Sequence, residues 1–244
     1  MNRGSSRSTT REHPPAAAAG ARGWQAARSQ DGEPDDARER FAARHPLHVT
    51  LRIRPGVQSL RRGKVCAAVR AALTAGGHKA TFRVVEFNVL RNHLHLLVEA
   101  EGPGALARGM QGLAVRLARR TNRLLGRTGS LFAARYHARA LRTPREVRNA
   151  LRYVLLNARH HAAEHGRQLA RDWIDPYSSA PWFEGFHISP RSRGLMCGQY
   201  WLTSLQRQPR PTAAPRTWLL ATGWRRHGLL LPTEVPGRIR PARG

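Results

Sequence analysis

Residues 80–102 read ATFRVVEFNVLRNHLHLLVEAEG, and the fold turns on them. Two runs rich in branched and aromatic residues flank Arg91–Asn92, the composition of a hairpin: two strands joined by a tight turn. In the second strand successive side chains alternate, so His93, His95 and Leu97 share one face while Leu94, Leu96 and Val98 share the other. Two imidazoles on one strand face are ordinarily a hydrogen-bonded or solvated polar surface. Whether they do more depends on what the rest of the chain places beside them.

Outward from the hairpin the periodicity changes in order. HPLHVTLRI at 45–53 alternates Leu47, Val49, Leu51 and Ile53 with His48, Thr50 and Arg52, a half-buried strand. LRRGKVCAAVRAALTAGG carries Leu60, Val65, Val69 and Leu73 at helical spacing and stops at Gly76–Gly77. After the hairpin, a helix is expected from Pro103 to about Leu125, with Leu106, Met110, Leu113 and Leu117 as its apolar stripe. LFAARYHARAL at 131–141 reads as a strand, and TPREVRNALRYVLLNARHHAAEHG as a helix with a threonine cap, proline at its first position and an end at Gly166. The expected fold class is α+β: a ferredoxin-like β-α-β-β-α-β sandwich with an extra C-terminal helix, plus flexible N- and C-terminal extensions.

The expected domains are a disordered basic arm over 1–41, the folded domain over 42–165, and a Trp/Pro/Arg-rich extension over 166–244. Five of the six tryptophans and nine of the sixteen prolines lie in that extension. It is expected to be partly ordered at best, packing on the core or contacting substrate. The formal net charge is +27, and all but Lys64 and Lys79 of the 42 basic residues are arginine. A chain this basic binds polyanions, nucleic acid first and anionic membrane second. No apolar run is long enough for a membrane span or a secretory signal, so the expected location is the cytoplasm, in association with the nucleoid. Cys66 and Cys197 have no C-x-x-C spacing, which removes a disulfide framework and a cysteine zinc site.

The last helix adds a second chemical element. Asn149, Tyr153 and Asn157 are four residues apart in turn and share a helical face. A tyrosine there is ordinarily a boundary residue. In this layout, however, a trailing helix can lie beside the sheet face that the two crossover helices leave free. Two imidazoles and an amide oxygen could then surround a divalent metal with positions left for phosphate and water, and the phenol could attack the phosphodiester in line.

Together, NHLHLLVE and LRYVLLN resemble the His-hydrophobic-His motif and the tyrosine helix of the IS200-like single-tyrosine HUH transposases, and most of all the REP-associated tyrosine transposases. The resemblance covers about residues 42–165. It implies a transposase-type endonuclease and strand transferase that acts on single-stranded or hairpin DNA through a 5′-phosphotyrosine intermediate. It also implies Tyr153 as nucleophile, His93, His95 and Asn157 as ligands of Mg²⁺ or Mn²⁺, and a homodimer, as relatives often are. One departure stands out. Relatives often continue the helix as Asn-Pro-Val-Arg-Ala-Gly, whereas this chain reads NARHHAAEHG, which leaves His160 and His161 open as ligands in place of Asn157.

Tyr136 is the rival nucleophile, and Tyr177 and Tyr200 lie in the tail, where holding an attack geometry is harder. Between Ala105 and His160 there are thirteen arginines and one acid, Glu146. Arg116, Arg119, Arg120, Arg123, Arg135 and Arg139 are the expected DNA contacts, clamping phosphates and stacking on bases, with His48 lining the groove or neighbouring the metal. Three alternatives stay open. The first is a hairpin DNA-binding protein that has lost the chemistry, and the second a histidine-metal hydrolase with no covalent step. The third, an RNA-binding sheet, lacks the expected aromatics on its central strands.

Overall fold

The protein is described by a computed structural model covering residues 41–187 and 204–237. The arm expected over 1–41 lies outside the described residues apart from Phe41, as do Cys197 and Tyr200.

Strand β1 (Leu47–Arg52), helix α1 (Gly63–Gly76), β2 (Phe82–Val89), β3 (His93–Ala100), α2 (Pro103–Leu125), β4 (His137–Ala140) and α3 (Pro144–Glu164) follow one another along the chain. The four strands form one antiparallel sheet in the order β2-β3-β1-β4. The fold is therefore α+β. At the hairpin tip Leu90 N–H donates to His93 O at 2.9 Å, which closes the turn over Arg91–Asn92. β4 is shorter than the alternation suggests: upstream of it only Phe132 makes a bridge, to Ile53.

Strand alternation sorts the apolar residues into two clusters. Leu47, Val49, Leu51, Leu94, Leu96 and Val98 pack under α1 and α2, against Val69 and Leu73 of the first helix and Met110, Leu113 and Leu117 of the second. Gly109 lets α2 approach the sheet, because a Cβ there would stand 2.1 Å from Phe82 Cγ. On the opposite face Val85 and Leu97 meet Val147, Leu151, Val154 and Leu155 of α3. α3 begins on a complete capping box: Thr143 Oγ1 accepts from Glu146 N–H, and the Glu146 carboxylate accepts from Thr143 N–H. That arrangement satisfies donors a helix start otherwise leaves open, and a cap of this kind is worth about 1 kcal/mol.

Of the two roles open to the C-terminal extension, its described residues perform the packing one. Trp224, 1% exposed, joins Ile174, Leu219, Leu220 and Leu230 in the α3 cluster. Other tail residues cover the outer edge of β2, where Val89 N–H donates to Tyr177 O, Ser179 N–H to Phe87 O and Ala213 N–H to Val84 O, at 2.8–2.9 Å. An uncovered edge strand would offer these groups to another chain. Two buried carboxylates hold the tail in place. Glu99 accepts from Arg83, from the backbone N–H groups of Arg216 and Thr217, and from the Thr217 hydroxyl.

Glu86 accepts from Arg210 at 2.6 Å, and its second oxygen has no partner. Burial pushes its carboxyl up to about 7, against the opposing pull of Arg210. The folded state therefore holds this proton more tightly than the unfolded chain does. The resulting stability is fully present below about pH 4.5 and is lost as pH rises through about 7. Urea unfolding of wild type and Glu86→Gln from pH 4.5 to 8 should show the wild type losing a few kcal/mol relative to the variant, at about 1.4 kcal/mol per pH unit of displacement. Parallel curves would remove Glu86 as the cause.

Candidate active site

Antiparallel register sets a polar row across the sheet on the face that α3 covers. Asn88 stands opposite His95, His95 opposite Thr50, and Thr50 opposite His137. The adjacent row runs Glu86, Leu97, His48 and Arg139. His48 and Thr50 are thereby brought to the histidine motif, and both touch the same atom: His48 Nε2 is 3.1 Å and Thr50 Oγ1 3.2 Å from His95 Nδ1. His93 Nε2 lies 3.1 Å from His95 Nε2, and His93 Nδ1 lies 2.8 Å from Asn92 Oδ1.

These contacts define the tautomers. A carboxamide oxygen only accepts, so His93 carries its proton on Nδ1 and presents a lone pair at Nε2. His95 then donates from Nε2 to His93 and accepts at Nδ1 from His48 or Thr50. The rings are neutral. Burial holds His48 and His93 at about 4, and burial followed by repulsion from His48 and His93 holds His95 at about 2.

Neutral imidazoles are the form that binds metal. Two nitrogens at right angles, each about 2.1 Å from an octahedral ion, stand about 3 Å apart, and the two Nε2 atoms have that separation. Moving the His95 proton to Nδ1 frees both lone pairs and leaves each ring with a supporting partner: Asn92 for His93, and Thr50 or His48 for His95. Among the described residues no group of three or more His, Cys, Asp and Glu is placed to hold a metal ion. A third protein ligand would have to be another residue type.

α3 lays Tyr153 on this row. Its ring centroid is 5.1 Å from that of His95 and 5.9 Å from that of His48, edge-on to both, and 6.3 Å from that of His160. Burial raises the phenol, while the nearby Asn157 amide, outside hydrogen-bonding geometry, favours the phenolate. Asn157 does not sit simply one turn below the tyrosine. The backbone leaves helical geometry at Leu156 (φ −113°, ψ 16°), and Asn157 is fully buried with neither amide atom hydrogen-bonded. Beside the break Asn88 donates to Val154 O at 2.7 Å, tying the tyrosine helix to the strand residue opposite His95; the Asn88 oxygen is unpartnered.

The other candidates divide sharply. His160 and His161 approach from the end of α3, both paired to Glu164 at 3.0–3.3 Å. Arg139 shares the His48 row and binds Glu146 at 2.8 Å. Arg116, Arg119, Arg120 and Arg123 ride on α2, across the sheet from Tyr153, and Arg116 folds back onto Gly112 O. The sheet stands between them and the phenol. Arg135 is exposed just before β4. Tyr136 packs against the α1–α2 cluster, and Tyr177 does the same with the Arg61 guanidinium 4.4 Å above its ring.

No family model and no curated protein matches the chain. Among solved structures it is similar to a REP-associated tyrosine transposase bound to a REP hairpin, with 16% identity and a TM-score of 0.45 over 60% of this chain and 82% of that one.

The Asn88 bond generates a test of how α3 is held. Asn88→Ala should lower the free energy of unfolding by about 1–3 kcal/mol, the usual consequence of leaving a buried acceptor without its donor, with faster hydrogen exchange around residues 154–158. An unchanged urea midpoint and exchange pattern would show that α3 is held by its apolar face alone.

Proposed function

We propose that this protein is a transposase-type single-stranded DNA endonuclease and strand transferase, laid out as a ferredoxin-like sandwich, with Tyr153 as nucleophile. The observation that carries the reading is the placement of one phenol against a buried cluster of neutral imidazoles. A structural tyrosine does not require two side-chain partners on the Nδ1 of its histidine neighbour. The charge of +27 supplies the attraction for the strand.

Tyr153 Oη forms a bond to phosphorus as the bond from phosphorus to the 3′ oxygen breaks. The 5′ end stays on the tyrosine, and the 3′ oxygen leaves as a hydroxyl after taking up a proton. Phosphodiester is exchanged for phosphodiester, so rejoining needs no nucleoside triphosphate. His160, held by Glu164 with its ring centroid 6.3 Å from that of Tyr153, is an imidazole outside the histidine motif that can take the phenolic proton. His93 and His95 would hold Mg²⁺ or Mn²⁺, with Asn157 as a candidate third ligand once its side chain turns toward them. When bound, the ion would polarise the scissile phosphate. Asn92, Thr50 and His48 keep the motif rings in their orientation.

One observation favours the runner-up, a hairpin-binding protein without the chemistry: the break at Leu156 accompanies a buried Asn157, and among the described residues no third His, Cys, Asp or Glu joins the two motif imidazoles in a group placed to hold a metal ion.

Labelled hairpin oligonucleotides with single-stranded flanks, incubated with the protein and Mg²⁺, Mn²⁺ or EDTA, separate the two on a denaturing gel. A metal-dependent, protein-linked 5′ product should form with the wild type and vanish in Tyr153→Phe, while DNA affinity stays within about twofold, since one hydroxyl contributes little beside many phosphate contacts. Adducts persisting in Tyr153→Phe would remove Tyr153 as nucleophile. Tight binding with no adduct in any metal would establish the binding protein instead.

A further inference from the structure

Past the break in α3 the chain builds a second concave site. A cavity of about 430 Å³ is lined by Arg159, Ala163, Gly166, Arg167, Gln168, Leu169, Arg171, Thr233 and Val235, a wall with three arginines and no carboxylate. Its size falls in the usual range for small-ligand sites.

Arg159 organises the site. It is only 6% exposed, and its terminal nitrogens donate to the carbonyls of Leu169, Ala170, Arg171 and Trp173 at 2.6–3.2 Å. These four bonds fasten the segment that carries Arg167 and Arg171 onto α3. Asp172 favours the charge of the guanidinium, and Arg159 Nε is buried without a hydrogen-bond partner. Arg167 and Arg171 are exposed at the rim. A buried cation whose direct partners are neutral carbonyls is costly, so an anion entering beside it recovers part of that cost.

We propose that this cavity is a phosphate-binding site separate from the tyrosine site. Arg167 and Arg171 clamp the phosphate oxygens over the field of Arg159, and Leu169 and Val235 form an apolar wall for the rest of the ligand. Arg159 follows Tyr153 by six residues on α3, past the break at Leu156. If the DNA reading above holds, on which this last step rests, the phosphate is a backbone phosphate of the strand that runs past Tyr153.

The test uses the full chain and two charge-matched variants: Arg167→Ala/Arg171→Ala in the cavity, and Lys64→Ala/Lys79→Ala on the α1 side. First, thermal unfolding is followed with inorganic pyrophosphate against chloride at equal ionic strength. The stabilisation should fall by more than half in the arginine variant and persist in the lysine variant; equal shifts in the two would overturn the site. Second, binding of a labelled single-stranded oligonucleotide is measured across salt concentrations. Losing two phosphate contacts should flatten the log–log slope by about 1.4, at about 0.7 per contact, relative to the lysine variant.

Loss of the pyrophosphate effect with an unchanged DNA slope would assign the cavity to a free phosphate compound and overturn the strand assignment. A wild type that binds no DNA would refute the function proposed above, and the pyrophosphate arm would still decide the cavity.

Discussion

A row of polar side chains has to be buried between the sheet and α3, and the rest of the molecule is arranged around that constraint. His48 and His95 are under 10% exposed, and Asn88 and Asn157 are fully buried. Each unpaired polar group in such a place costs on the order of 1–3 kcal/mol. Protonating an imidazole there costs more, which is why the rings stay neutral. Hydrogen bonds among His48, Thr50, His93, His95 and Asn92 offset most of the burden. The orphaned atoms of Asn88 and Asn157 are the part left unsettled, and they lie at the break in α3. Well-packed apolar surface carries the structure on both sides of the row, so the site is built on rigid elements and not on loops.

Much of this could be read from the chain. β1, the β2–β3 hairpin and the span of α2 follow from period-2 and period-3.6 patterning, and the start of α3 from Thr143 and Pro144. His93, His95 and Tyr153 stood out because alternation and helical spacing each put chemistry on a defined face. Thr50 and Asn88 did not, since their importance comes from cross-strand register, which no single segment carries. The four-residue spacing of Asn157 from Tyr153 assumes an unbroken helix, and nothing in YVLLN announces the turn of the backbone at Leu156. β4 came out short because alternation in FAARYHARAL is not sufficient for pairing, which also needs a neighbour within reach.

The tail shows the same limit from the other side. Its tryptophans and prolines gave no periodicity, yet Trp224 is among the most buried large side chains described. Its order comes from partners distant in sequence: the β2 edge, the Glu86 and Glu99 carboxylates, and the face of α3. Arg148 on α3 reaches the carbonyls of Gly228 and Leu229 and the carboxylate of Glu234, so the tyrosine helix is held by the sheet beneath it and the tail beyond it.

Where the positive charge sits changes the account of how a strand would be held. The stripe of arginines on α2 is the densest basic run of the folded part, but a helix sequence does not say which sheet face it will cover. α2 covers the face away from Tyr153. At physiological salt fields decay over about 8 Å, so arginines across a sheet steer an approaching polyanion more than they position one phosphate to within the fraction of an ångström that in-line attack requires. In the proposed reaction positioning would therefore fall to groups on the α3 side: Arg139 beside His48, the imidazole cluster, and the arginine-lined cavity past the helix break. In the proposed reaction the two kinds of charge divide the work, with α2 raising the encounter rate and the α3 face setting the register of the strand on the tyrosine.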